Sequence, residues 1–395
     1  MSLNNNTPSA NRLHIGIFGR RNSGKSTLIN AITDQNTAIV SDVAGTTTDP
    51  VFKAMEIKPF GACMLIDTAG FDDIDDIGLL RVEKTESLLL KTDVAILIIS
   101  NKTDNFSWEE KWIKKFTANK IPFALVVNMF DKNDISGEIS DLFSVEPIII
   151  NAKEKSGTKE LFDEILRLLP SEFEVPSITS HMINKDDIVV LVMPQDMSAP
   201  KGRLILPQVQ TIRDLLDNNC VAITCIPESF ETVISALKKP PKLIIVDSQV
   251  FKKIYELKPK ESQITSFSVL FANYKGDISE FVKGAKKIDT LKETDTVLIA
   301  EACTHAPETE DIGRVKLPAL LRKKVGNDLS VEVVSGTSYP EDLTKYALII
   351  HCGGCMFNRK YVLSRIAMAN SQNIPITNYG IAIAKLSGIL DFIAI

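Results

Sequence analysis

The sequence has no excess of positive charge: 45 lysines and arginines stand against 50 aspartates and glutamates, a net charge of −5. That balance removes the general attraction to nucleic acid that a basic domain exerts, so no nucleic-acid partner is expected. Long apolar runs are also missing. Residues 94–99 and 148–150 fall far short of the roughly 20 residues that span a bilayer, and the apolar stretch 381–395 is broken by Lys385 and Asp391. No membrane span is expected. Cysteine is scarce, with six in 395 residues. The start has no basic segment leading into an apolar one. Both features fit a reducing, cytoplasmic setting in which thiols serve as ligands rather than bridges.

What is present begins with a phosphate loop. Leu13 to Phe18 reads as a strand, followed at once by Gly19-Arg20-Arg21-Asn22-Ser23-Gly24-Lys25-Ser26 and a helical run from Thr27. This is a GxxxxGKS loop in the strand–loop–helix setting that its mechanism needs. Gly19 and Gly24 let successive backbone N–H groups face phosphate oxygens, Lys25 neutralises the outer phosphates, and the Ser26 hydroxyl reaches a magnesium ion. Gly45-Thr46-Thr47-Thr48-Asp49 has the composition of a first switch loop, and Asp67-Thr68-Ala69-Gly70 ends the strand 63–66 as a DxxG segment does. Ser26, Thr47 and Asp67 are the expected magnesium ligands, and the Gly70 N–H the expected γ-phosphate sensor. Asn128-Met129-Phe130-Asp131 stands where GTPases read guanine with NKxD, Met129 replacing the lysine that packs over the ring. Asn151-Ala152-Lys153 resembles the SAK segment that follows. Expected GTP contacts are therefore Gly19, Asn22, Ser23, Gly24, Lys25, Ser26, Thr27, Thr46, Thr47, Asp67, Gly70, Asn128, Asp131, Ala152 and Lys153. Lys25, Asn22, Thr47 and Gly70 would carry hydrolysis.

Phe71 follows the DxxG segment where Ras-like proteins carry the glutamine that orients water. The series of motifs instead resembles the TrmE- and Era-like GTPases, in which an asparagine of the phosphate loop helps bind potassium. That resemblance implies a potassium ion at Asn22, supplying positive charge at the transition state, with the loop around Thr46 and Thr47 beside it.

The proline-bounded stretch 170–176 reads as a linker. Beyond it strands and helices alternate, which gives parallel α/β layers. Strands are expected at 188–193, 221–224, 243–246, 266–271, 296–300, 330–334 and 348–350. The expected fold is α/β throughout: a P-loop GTPase domain over 1–176, a small βα dimerisation domain over 177–262, and a doubly wound iron–sulfur domain over 263–395. Cys220 and Cys225 sit at opposite parity on one short strand and are read as structural.

Three of the six cysteines fall in two short segments, Cys303-Thr304-His305 and His351-Cys352-Gly353-Gly354-Cys355, each directly after a strand. Ligand sites of parallel sheets lie at the carboxyl ends of strands, so the two segments are expected at one edge. Spacing alone leaves zinc and iron–sulfur both open. One CxxC and one CxH embedded in a large sheet suit a 4Fe–4S cluster with one open iron better than a zinc knuckle. His305 and His351 are weaker candidates than the thiols.

A GRxNxGKS GTPase followed by a middle domain and by CxH and HCxxC is similar to the FeFe-hydrogenase maturation GTPases, the HydF family. The resemblance implies that Cys303, Cys352 and Cys355 hold a 4Fe–4S cluster. It further implies a homodimer through the middle domain, a scaffold that carries a transient diiron precursor, two radical-SAM maturases as partners, and apo-FeFe-hydrogenase as recipient. Two other readings compete: a ribosome- or tRNA-maturation GTPase with a structural or redox-sensing metal, and a GTP-dependent adaptor that binds zinc.

Overall fold

A computed structural model describes residues 9–33, 39–43, 51–57, 61–72, 82, 84–169, 177–194, 204–302, 312–336, 338–354 and 357–395. The chain divides into two compact units, Met1–Glu174 and Val175–Ile395.

The first unit is built on seven strands: β1 Leu13–Gly19, β2 Ile39–Val43, β3 Val51–Ile57, β4 Gly61–Asp67, β5 Val94–Ser100, β6 Phe123–Asn128 and β7 Ile148–Ile150. They lie in the order β2-β3-β4-β1-β5-β6-β7. β1 pairs parallel with both β4 and β5, and every one of its residues is buried. A strand covered on both faces reads as a continuous apolar run, which is why this segment is legible without alternation. Its side chains nevertheless alternate between two cores. Leu13, Ile15 and Ile17 join one cluster, whereas Phe18 joins Phe71, Trp112 and Phe116 in the other. β2 and β3 extend the sheet antiparallel beyond β4, two strands more than the sequence pattern predicts.

The second unit holds two parallel four-stranded sheets. The first consists of β8 Ile188–Val192, β9 Val221–Cys225, β10 Leu243–Val246 and β11 Gln263–Ser266, in the order β11-β10-β8-β9. Cys220, just before β9, is buried and donates its thiol to the Asn184 carbonyl at 3.1 Å. The second sheet consists of β12 Thr296–Ala300, β13 Ser330–Val334, β14 Leu348–His351 and β15 Ile376–Asn378, in the order β13-β12-β14-β15.

One element differs from expectation. The strand expected at 266–271 is the helix Phe267–Lys275, and Ser266 closes β11 instead. The Ser266 hydroxyl accepts the Val269 N–H at 3.3 Å, a helix N-cap that satisfies a donor the backbone ladder leaves open. A short apolar run has the same look in either conformation, and the cap decides it. β11 pairs with β10 in the first of the two sheets.

Candidate functional site

The phosphate loop leaves β1 at Gly19, where a Cβ would lie 2.6 Å from the Ile98 carbonyl oxygen. Asn22 and Gly24 both take positive φ, 60° and 99°. A Cβ on Gly24 would also meet the Asn128 amide nitrogen at 2.2 Å. Arg20 anchors the loop from outside: its guanidinium makes two 2.7 Å bonds to the carboxylate of Glu109, which is fully buried. Lys25 is buried within the loop, its ammonium donating to the carbonyls of Gly19 at 3.0 Å and Arg20 at 2.8 Å. The charge thus sits among backbone dipoles on the phosphate side. Ser26 and Thr27 lie exposed in the first turn of the helix Lys25–Thr33.

Ser26 Oγ donates to Asp67 Oδ2 at 2.7 Å, joining the helix start to the end of β4. The other oxygen, Oδ1, is buried without a hydrogen-bond partner among the described residues. Burial holds the Asp67 carboxyl above the usual carboxylate range, with the Ser26 bond pulling the other way. A hydroxyl beside a carboxylate with an unsatisfied oxygen is the donor set of a hard divalent cation, so the residues fit magnesium. Gly70 packs on the loop itself, since a Cβ there would stand 2.7 Å from the Arg21 nitrogen. The next residue, Phe71, is fully buried, with its ring stacked on Trp112 at 5.3 Å and tilted against Trp108 at 6.4 Å. Thr46 and Thr47 lie outside the described residues.

Asn128 ends β6 and ties three segments together. Its amide donates to the Ser23 carbonyl at 3.0 Å and accepts the Ala152 N–H at 3.1 Å. Sequence reasoning missed the residue that supports Asp131. Buried Asn101, just beyond β5, donates to Asp131 Oδ1 at 2.8 Å and to the Asn133 carbonyl at 2.8 Å, and accepts the Phe130 N–H at 3.0 Å. The signal available was positional, a polar residue at the carboxyl end of a parallel strand. The Asn133 N–H, together with Asn101 and Lys102, keeps the exposed Asp131 carboxylate below its ordinary pKa. An ionised acceptor is what guanine recognition needs. Lys153 is exposed in the turn shaped by Asn151.

Met129 packs into the core cluster around Trp112 rather than over the loop. Phe130 is instead 50% exposed. Its ring tip stands 3.6 Å from the Cβ position of Gly24, with Lys102 Nζ 5.8 Å from the ring centre.

In the second unit, β12 and β14 are adjacent and parallel, with Ala300 opposite His351. The Cys352 N–H continues the ladder to the Ala300 carbonyl at 2.9 Å, and the Ala302 N–H donates to Cys352 Sγ at 3.0 Å. The residue that precedes Cys303 therefore touches the Cys352 thiol. Cys303, His305 and Cys355 lie outside the described residues, and among the described residues no three potential ligands cluster. His351 is wholly buried and both its ring nitrogens are committed. Arg365 can only donate, so its 3.0 Å contact fixes Nε2 as acceptor, and Nδ1–H donates to the Cys352 carbonyl at 2.7 Å. Burial first, then Arg365, push the His351 pKa down to about 3. The ring is neutral, with one nitrogen on Arg365 and the other on the Cys352 carbonyl.

Comparison with known proteins bears on both units. Residues 178–276 match the family model of the hydrogen maturase F dimerization domain, and residues 279–394 that of its tetramerization domain. The chain belongs to the HydF family. Within this HydF chain, residues 14–129 match the model described as a 50S ribosome-binding GTPase. GTPase Der of Streptococcus pneumoniae (strain Hungary19A-6) is 29% identical over 218 residues, covering 52% of this chain and 48% of that protein. The chain thus spans about half the length of the curated relatives it matches. Solved structures similar to it include Era of Aquifex aeolicus bound to GDP and AlF4−, at 18% identity and TM-score 0.34, covering 54% of this chain and 92% of that one. The G domain of the T. maritima FeoB iron transporter is also 18% identical, with TM-score 0.32, covering 40% and 98%.

Proposed function

We propose that this HydF chain is a GTP hydrolase of hydrogenase maturation that carries a 4Fe–4S cluster and delivers a diiron precursor to apo-FeFe-hydrogenase. The observation that carries the metal reading is the Ala302 N–H on Cys352 Sγ. It places the chain leading into Cys303 against the thiol of the CxxC segment, and amide donors to sulfur are what a thiolate ligand requires. Cys303, Cys352 and Cys355 are the assigned cluster ligands, and the cluster supplies an iron able to exchange a ligand with the cargo.

In the nucleotide unit Lys25 neutralises the outer phosphates, and Ser26 and Asp67, with Thr47, hold magnesium. Asn128 fixes the phosphate loop relative to the base loop, and Asp131 accepts the guanine N–H groups. Phe130, not Met129, covers the face of the base. Asn22 takes potassium, since Phe71 is locked among tryptophans and offers no polar group to a water. Dimerisation proceeds through the sheet β11-β10-β8-β9, whose edge strand β9 begins at the half-exposed Val221. Two radical-SAM maturases supply the precursor.

Anaerobic reconstitution with iron and sulfide, followed by absorption and EPR, tests this reading and separates iron–sulfur from zinc. Cys352→Ser should abolish the cluster and leave GTP hydrolysis intact, while Lys25→Ala does the reverse. A wild-type chain that binds zinc but no iron and sulfide would refute it. The match of residues 14–129 to a ribosome-binding GTPase model favours one second reading. Salt-dependent RNA retention on a filter would support it.

A further inference from the structure

Arg365 is 1% exposed, on the helix Arg359–Ser371 beneath the Cys352-Gly353-Gly354 turn. Its guanidinium is boxed by three aromatic rings, with Tyr339 at 4.5 Å, Tyr361 at 4.7 Å and Phe357 at 5.0 Å from its central carbon. Its hydrogen-bond partners are all neutral: His351 Nε2 at 3.0 Å, the Gly336 carbonyl at 2.7 Å and the Tyr361 hydroxyl at 3.3 Å. Among the described residues its Nε has no hydrogen-bond partner, nor has the buried Tyr339 hydroxyl beside it. Among the described residues no carboxylate pairs with it. Arginine cannot shed its proton to escape such a place, and a buried charge without an opposite charge is strongly unfavourable. Aromatic faces return only part of that cost.

The same side chain is one imidazole away from the thiol turn. His351 links the guanidinium to the Cys352 carbonyl, so Arg365 and the turn share a single hydrogen-bonded relay. The turn also rests directly on the helix. A Cβ on Gly354 would lie 3.0 Å from Val362, one helical turn before Arg365, and the Phe357 N–H donates to the Gly354 carbonyl at 3.0 Å. A second buried cation, Lys275, donates to the Phe357 carbonyl at 3.4 Å. Two buried cationic side chains therefore lie beneath a turn whose proposed chemistry is anionic.

We propose that Arg365 is the buried counter-charge of an anionic thiolate–metal centre at the Cys352 turn, acting through His351 as a positioning residue. The inference rests on the cluster reading above. Each thiolate brings a negative charge, and one-electron reduction of the cluster adds another. A fixed positive charge behind the turn stabilises the reduced state most, which raises the reduction potential. His351, neutral and doubly bonded, holds the guanidinium at a set distance and blocks water from the relay.

The test uses the full chain, reconstituted anaerobically and titrated with dithionite under EPR, as wild type, Arg365→Lys, Arg365→Gln and Tyr339→Glu. Arg365→Gln removes the charge. Tyr339→Glu neutralises it with an adjacent carboxylate while keeping the arginine, so it reports even if Arg365→Gln does not fold. Both are expected to keep the cluster and shift its midpoint to more negative potential, whereas Arg365→Lys stays near wild type. GTP turnover is unchanged in all four. A folded Arg365→Gln or Tyr339→Glu with a full cluster at the wild-type midpoint overturns the inference and leaves the cluster reading standing. A wild-type protein that takes up no cluster overturns both.

Discussion

Asn128→Ala separates a merely local contact from a keystone. Asn128 is 3% exposed and holds two bonds of ordinary length, to the Ser23 carbonyl and from the Ala152 N–H. Truncation strands both partners, the Ser23 carbonyl and the Ala152 N–H, and removes the amide nitrogen that stands 2.2 Å from the Cβ position of Gly24. Losing two such bonds with buried partners left behind costs about 3 kcal/mol. For a unit of this size that is a fall in melting temperature of about 6–12 °C. Because the same side chain sets the phosphate loop against the base loop, GDP affinity should fall at least about tenfold as well. Calorimetry reads both quantities, and the transition that moves up when GDP is added identifies the nucleotide unit. Asn128→Asp is the discriminating companion: it keeps the acceptor for Ala152 but sets a buried carboxylate oxygen against the Ser23 carbonyl, and it should be at least as destabilised as alanine. An alanine variant that melts and binds like the wild type would refute the bridging role.

Phe130→Ala should weaken GDP and GTP alike by about tenfold, the loss of one base–aromatic stack, whereas Met129→Ala should lower melting temperature at unchanged affinity; equal affinity loss in both would return the base face to Met129. Asp67→Asn should raise the melting temperature of the metal-free protein at neutral pH while abolishing magnesium-dependent binding. The sign follows from burial. Because the folded pKa of Asp67 is raised, its ionisation penalises the fold above that pKa, and the penalty disappears as pH falls through it toward the unfolded value. A metal-free variant that melts lower at pH 7 than the wild type would reverse this assignment. Hydrolysis should run faster in potassium than in sodium, and Asn22→Gly, which tolerates the positive φ at that position, should erase the difference. Equal rates of the wild type in the two salts would remove potassium from the site.

The nucleotide unit was legible because a phosphate loop is local: glycines, lysine and serine at fixed spacing state their own geometry. Strand β12 covers the expected residues and β14 ends one residue later than expected, for a similar reason: each is a short apolar run, β12 bounded by Asp295 and Glu301. What escaped depended on partners distant in sequence. Asn101 has no motif, and only the folded neighbourhood of Asp131 gives it a task. Met129 stands at the lysine position of NKxD, yet its thioether packs into the core around Trp112, and the exposed ring of Phe130 stands by the loop instead. His351 stood beside a cysteine and so looked like a candidate ligand. Arg365, fourteen positions later on a helix, turns it into a spacer. Parallel topology accounts for Cys352 and Ala302 standing at one edge, whereas Cys303 and Cys355 lie outside the described residues.

Both tryptophans of the chain lie on the helix Ser107–Ala118, and both face the ring that directly follows the DxxG segment. The protein therefore carries its own optical gauge. Any displacement of Phe71 when the γ-phosphate arrives or leaves must alter the surroundings of an indole, and hence its emission. The nucleotide cycle becomes observable in unlabelled protein, with no tryptophan in the second unit contributing indole signal of its own.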